Sequence, residues 1–176
     1  FFEEFEAAWA RPTEPEPGKA ILYLHGGSYT AGTLDYAKGF GGILAELTGR
    51  EVLAVGYRLA PEYPHPAALE DALEAYQKML ERFRPEDIAF AGESAGGGLC
   101  FCLCLKLKEL GMPMPSRIVA ISPWTDLSMD CARHADELTD PILSMASLRY
   151  SASRYAKGRL CEPLVSPLYG DLSGMP

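Results

Sequence analysis

Asp87–Leu110 reads DIAFAGESAGGGLCFCLCLKLKEL, and this stretch decides the architecture of the chain. Its first part, Asp87–Glu93, is a short apolar run without polar alternation, the composition of a strand buried on both faces. Its last part, Ala95–Leu110, is strongly apolar at helical length and is stopped by Gly111 and Pro113. Between them Gly92-Glu93-Ser94-Ala95-Gly96 matches G-x-S-x-G, with a strand before it and a helix after it. A serine at such a junction sits on a strained turn that lifts its hydroxyl above the sheet. The flanking glycines let strand and helix approach where any side chain would collide. Three fixed residues in a glycine-rich chain are weak evidence alone, so the junction carries the weight. The competing reading is a glycine-lined helix N-terminus packed on a strand, or an anion site.

The same alternation extends in both directions. Upstream, Lys19–His25 (KAILYLH) and Glu51–Tyr57 (EVLAVGY) have the composition of buried strands. Tyr36–Thr48 carries Phe40, Ile43, Leu44 and Leu47 at helical spacing and is closed by Gly49. Ala67–Arg82 repeats Leu69, Leu73, Tyr76 and Leu80 on one helical face, with Pro66 suited to its first turn. The prolines of Arg58–Pro66 require an irregular loop. Downstream, Arg117–Ser122 is a further strand. Strand and helix in alternation give an α/β fold, a mainly parallel sheet covered by helices on both faces. Phe5, Ala7 and Trp9 alternate as an edge strand would, with a helix as the alternative. After Asp126 the sequence changes character. Pro141 opens a helix-like stretch that ends near Gly158, and a proline-spaced tail follows without another buried strand.

Composition narrows the function. The 176 residues are 48% hydrophobic and 23% charged, enough for one domain with a real core. A net charge of -8 with no basic block opposes binding to nucleic acid or to anionic membranes. Apolar stretches fall short of the roughly 20 residues a membrane span needs, and the first residues lack a signal-peptide pattern. A soluble, cytoplasmic protein is expected. Cys100, Cys102 and Cys104 lie in the apolar helix, where alternate positions point apart and do not converge on one metal. Buried free thiols in a reducing compartment are the expectation, with no metal site.

His25-Gly26-Gly27-Ser28 directly follows the first strong strand. Amide N–H groups aimed from such a loop stabilise the anion that forms when an ester carbonyl is attacked, lowering that barrier by several kcal/mol. His25 is read as bracing the loop through hydrogen bonds. The competing reading is an ordinary tight turn.

With these motifs and YRLAPEYPHPAALEDALEAY between them, the chain resembles the hormone-sensitive lipase family of α/β-hydrolase carboxylesterases. The resemblance covers about Ala20 to Asp126, through SPWTDL, and more loosely the stretch to Pro176. It implies a hydrolase that cleaves small esters of short acyl chains without a cofactor. It implies Ser94 as nucleophile and the backbone N–H groups of Gly27, Ser28 and Ala95 as the oxyanion hole. Ser28 stands where the family usually has a third glycine, a change the backbone donor survives. Glu93 stands at a commonly acidic position and is read as a brace for the elbow. Tyr29, Trp124 and Leu127 are read as core or as pocket lining.

The family places its acid and its histidine after two later strands, in the order Ser, acid, His. Neither strand is visible, so the resemblance implies a family sheet broken off after about its sixth strand. The chain is then one domain, 1–176, incomplete at the C-terminus, with about 127–176 as a cap-related and connecting segment. His134 falls where the family has no catalytic group, and His65 precedes the serine and is read as structural. The expectation is a portion nearly inert alone, completed by a C-terminal segment or a second copy, with Arg117–Ser122 a bare sheet edge. The alternatives are a non-catalytic small-molecule-binding protein on the same fold, or an inert fragment.

Overall fold

Residues 2–129, 140 and 142–176 are described by a computed structural model. Strands β1 (Glu6–Ala10), β2 (Ala20–Leu24), β3 (Glu51–Gly56), β4 (Ile88–Glu93) and β5 (Arg117–Ile121) form one sheet in the order β1-β3-β2-β4-β5. The pairs β3–β2, β2–β4 and β4–β5 are parallel, and β1 adds antiparallel to β3 with Ala8 opposite Ala54. The N-terminal alternation is therefore an edge strand. Its Trp9 ring lies 5.8 Å from that of Phe83, with the Arg82 guanidinium 4.6 Å above it.

The helices are α1 (Leu34–Thr48), α2 (Ala67–Leu80), α3 (Ala95–Leu110) and α4 (Met145–Ala156). Apolar residues fill both faces of β2, β3 and β4, as expected where helices cover each side. One core contains Leu22, Leu24, Phe90, Tyr76, Leu99 and Leu103, where α2 and α3 pack. The other contains Ile21, Tyr23, Val52, Ala54, Ala89 and Ala91, with α1 against it.

Helix α1 starts earlier than its apolar spacing suggests, because the Thr33 hydroxyl accepts the Tyr36 N–H at 3.2 Å and caps it. It ends at Gly49, whose positive φ of 68° forms the left-handed cap. The stripe it buries also differs from expectation. Ala37, Gly41 and Ala45 are its buried residues, while Ile43 and Leu47 are 56% and 81% exposed. A side chain on Gly41 would meet Ala54 at 3.2 Å, so the helix sits on the sheet through its small residues. Only Phe40 and Leu44 of the large residues reach that core, from the flanks.

The loop after β3 is irregular and is tied down by Asp71, which is 1% exposed. Its carboxylate accepts the Arg58 backbone N–H at 2.7 Å and two N–H groups of the Arg58 guanidinium. Downstream, α4 is capped by the Ser144 hydroxyl and ends at Lys157 and Gly158, both with positive φ. Pro141 and His134 lie outside the described residues.

In register, Leu24 of β2 stands beside Gly92 of β4. The loops that leave these two strands therefore emerge together at the C-terminal edge of the sheet, where open α/β folds place their ligands.

Candidate active site

Ser94 occupies a sharp bend between β4 and α3, with φ 51° and ψ -120°. A non-glycine residue in this region costs about 1–3 kcal/mol and persists only where its surroundings hold it. Its N–H donates to the Ile121 carbonyl at 2.9 Å, and its own carbonyl accepts from Trp124 N–H at 2.8 Å and Gly98 N–H at 3.0 Å. The glycines permit the bend by close approach. A side-chain carbon on Gly92 would fall 2.6 Å from the Gly96 backbone, and one on Gly96 would fall 2.0 Å from the Leu24 carbonyl oxygen.

Facing the elbow is the loop that follows β2. Gly27 has φ 121°, and a side chain there would strike the Ala31 carbonyl oxygen at 2.1 Å. The Gly27 carbonyl accepts the N–H groups of Thr30 and Ala31, which folds the loop back on itself. Ser28 follows with φ 55°, the left-handed conformation that a third glycine would adopt more cheaply. The Gly26 N–H is already committed, donating to Glu93 Oε1 at 2.6 Å. Among the described residues no acceptor is paired with the N–H of Gly27 or Ser28. Ala95 is the first residue of α3, where helix geometry leaves the N–H without an intrahelical acceptor.

A cleft of about 310 Å³ lies between the two loops, lined by Gly26, Gly27, Gly32, Tyr36, Glu93 and Ser94. It brings together two of the four residues singled out from the sequence, Ser94 and Gly27. Ser28 is half-buried beside Gly27 and Ala95 is buried behind Ser94; neither lines the cleft.

Glu93 braces the elbow more extensively than its position alone indicated. Besides the Gly26 N–H, its carboxylate accepts the Tyr23 hydroxyl at 2.7 Å and the Tyr36 hydroxyl at 3.1 Å. Burial and the neighbouring carboxylate push the Tyr23 hydroxyl well above its ordinary range, so it remains a donor. Sequence reasoning missed both tyrosines. For Tyr23 the available signal was that a tyrosine inside a buried strand requires a partner for its hydroxyl, whereas Tyr36, half-exposed on α1, offered none.

His25 is fully buried and stacks on Tyr57, with ring centroids 4.2 Å apart and planes at 8°. Its Nδ1 lies 2.6 Å from the Gly26 carbonyl, so that nitrogen carries the proton. Burial lowers its pKa and keeps the ring neutral. His25 thus braces the loop, and no hydrogen bond joins it to Ser94. His65 is also buried, its N–H donating to the Tyr155 carbonyl at 2.9 Å and its carbonyl accepting from Arg159 at 2.8 Å. It pins α4 and makes no contact with the elbow of a hydrogen-bonding kind. Among the described residues, no imidazole is hydrogen-bonded to Ser94.

Tyr29 and Leu127 belong to the core, Tyr29 stacking on Tyr155 at 3.9 Å, while Trp124 is half-buried. Cys100, Cys102 and Cys104 are buried free thiols, and burial pushes Cys104 up to about 12. Among the described residues, no group of three His, Cys, Asp or Glu side chains converges to hold a metal ion. No described helix is long and apolar enough to cross a membrane.

A mainly parallel sheet in which an inner strand, β4, runs into a serine elbow, opposite a glycine loop from the neighbouring central strand β2, defines the α/β-hydrolase class. Residues 21–176 match the alpha/beta hydrolase fold family, and the chain belongs to it. An acetyl-hydrolase of Streptomyces hygroscopicus is 42% identical over 173 residues, covering 97% of this chain and 58% of that protein. Human hormone-sensitive lipase is 33% identical over 155 residues, covering 84% of this chain and 14% of that protein. The crystal structure of an esterase from the bacterial hormone-sensitive lipase family superposes with a TM-score of 0.91 at 33% identity. That match covers 99% of this chain and 63% of the esterase. The chain therefore spans little more than half the length of the acetyl-hydrolase it matches.

Proposed function

We propose that this chain is the nucleophile-bearing part of a carboxylic ester hydrolase acting on small esters of short acyl chains. The observation that carries the reading is the cleft in which Ser94 faces the Gly26–Gly27 loop. The names of the relatives, an acetyl-hydrolase among them, support a short acyl group.

In this reading the Ser94 oxygen attacks the ester carbonyl carbon as an imidazole takes the hydroxyl proton. The carbonyl oxygen becomes an anion and is met by the N–H groups of Gly27, Ser28 and Ala95. The intermediate collapses when the imidazolium returns the proton to the departing alkoxide, leaving an acyl ester on Ser94. Water deprotonated by the same imidazole then releases the acid and restores the serine. No step calls on a metal or nucleotide.

In this reading the imidazole and the carboxylate that orients it come from a complementing segment of a longer protein, as supported by the chain's covering 58% of the acetyl-hydrolase it matches. A serine lacking its triad partners loses about four to six powers of ten in rate, so the chain alone is nearly inert. The buried free thiols fit a reducing cytoplasm.

The test is a p-nitrophenyl acetate burst and fluorophosphonate labelling at Ser94, in protein expressed at the full length its gene encodes. Both signals are expected there and both should vanish in Ser94→Ala. Activity that survives Ser94→Ala removes the reading.

A further inference from the structure

We infer that Glu93 is a positioning residue that sets the distance between the nucleophile and the oxyanion donors, an inference that rests on Ser94 being the nucleophile. The two halves of the cleft come from different strands. The backbone ladder between β2 and β4 aligns them as far as Leu24 beside Gly92, where the strand pairing ends. Past it, the Glu93 carboxylate reaches from the elbow to the opposite loop and takes the Gly26 N–H at 2.6 Å. Glu93 is adjacent to Ser94 and Gly26 is adjacent to Gly27, so the tie is one residue from the reacting group on each side.

An anionic side chain beside a developing oxyanion opposes the reaction by like-charge repulsion, so its presence in this cleft needs a reason. The hydrogen bonds supply one. A carboxylate is a stronger acceptor for an amide N–H than a neutral group, which makes it the firmer tie. Its charge is met by three donors, Gly26 N–H and the Tyr36 hydroxyl on Oε1 and the Tyr23 hydroxyl on Oε2. Tyr23 holds it from the sheet side, where the ring is fully buried, and Tyr36 from the solvent side, where the ring is 53% exposed and lines the cleft. By occupying the Gly26 amide, the carboxylate also fixes which N–H groups remain for substrate, those of Gly27 and Ser28. The register of the oxyanion loop is thereby set by a side chain on the opposite strand.

The test measures kcat and KM for a short-chain p-nitrophenyl ester, with thermal midpoints, in Ser94→Ala, Glu93→Ala, Glu93→Gln and Tyr36→Phe of the full-length protein. Loss of one oxyanion donor costs about two to three powers of ten, so a loosened loop should cost less, roughly 30- to 100-fold in kcat for Glu93→Ala. KM should stay within about twofold, because the donors act on the transition state and not on the bound ester. Glu93→Gln keeps an amide oxygen for the Gly26 N–H and should recover most of the rate, leaving a loss of about 3- to 10-fold. Tyr36→Phe should show a loss of similar size, and the fluorophosphonate labelling rate should fall in parallel with kcat in all three.

A Glu93→Ala protein that folds and keeps kcat within about threefold of the parent overturns the inference, as does a rise in KM with kcat unchanged. If Glu93→Ala does not fold, the near-isosteric Glu93→Gln and Tyr36→Phe decide, and unchanged kcat in both overturns it. An inactive Ser94→Ala beside an unimpaired Glu93→Ala defeats this inference alone. An active Ser94→Ala defeats the nucleophile reading on which it stands.

Discussion

The Leu24 carbonyl oxygen lies 2.0 Å from where a side chain on Gly96 would begin, so the end of β2 and the start of α3 touch backbone to backbone. Neither partner is the flexible end of a side chain, and one methyl group must push strand and helix apart. Gly96→Ala is expected to cost about 3 kcal/mol, read as a lower urea midpoint, with overpacking as the cause. Gly42, in the interior of α1 with open space for 4 Å around the place its side chain would occupy, is the control. Gly42→Ala should stabilise by about 0.5–1 kcal/mol through helix propensity alone. Equal effects at the two glycines would contradict the close approach.

Asp71 holds the loop that follows β3. It is 1% exposed and its carboxylate accepts both the backbone and the guanidinium of Arg58. Asp71→Ala leaves a largely covered guanidinium without its main partner, and about 3–5 kcal/mol of stability should be lost. Glu4, also paired with Arg58 but 63% exposed, should matter little, and Glu4→Ala is expected to change stability by under about 0.5 kcal/mol. Denaturant titration of both variants checks the contrast, and similar losses would show that burial does not govern this pair.

What the sequence made legible was local. The elbow could be read because strand, glycines, serine and helix are contiguous in residues 87–110, and the glycines at 92 and 96 do what that pattern requires. The thiols of α3 were legible for the same reason. The partners of Glu93 were not, since Tyr23 is 70 residues and Tyr36 57 residues away, joined to it only by the fold. The buried stripe of α1 also escaped. Its apolar periodicity marks Ile43 and Leu47, yet the helix rests on Ala37, Gly41 and Ala45, because small residues allow closer packing than large ones.

His65 makes stability depend on pH. Burial and the nearby Arg159 lower it to about 4, and its ring faces the Tyr155 hydroxyl. The unfolded histidine titrates near 6.5, so between about 6.5 and 4 the unfolded chain binds a proton that the folded chain refuses. Stability should therefore fall as pH drops through that window, with no further loss from this group below it. His25, lowered in the same direction, adds to the slope. Urea midpoints taken from pH 7 to pH 4 should fall less steeply in His65→Gln than in the parent, and parallel slopes would rule out the assignment.

Strand β5 lies at the edge of the sheet, paired with β4 on one side. The register sets Val119 beside Ala91, on the same face as Tyr23, while α1 packs across β3, β1 and β2. Val119 and Ile121 are accordingly 50% and 49% exposed, and Ile43 and Leu47 of α1 are exposed as well. Among the described residues β5 is paired on one side only, and apolar side chains on such a strand combine two hazards, backbone groups open to another strand and an uncovered hydrophobic face. These 176 residues expressed alone should self-associate at tens of micromolar, read by light scattering after size exclusion. Val119→Lys with Ile121→Lys should raise the monomer fraction, because lysine on an edge strand disfavours pairing with another chain. The β4 ladder is untouched by these outward changes, so the far-ultraviolet circular dichroism should be preserved. If the parent chain is monomeric at that concentration, or the double variant associates equally, the exposed edge is not what drives association.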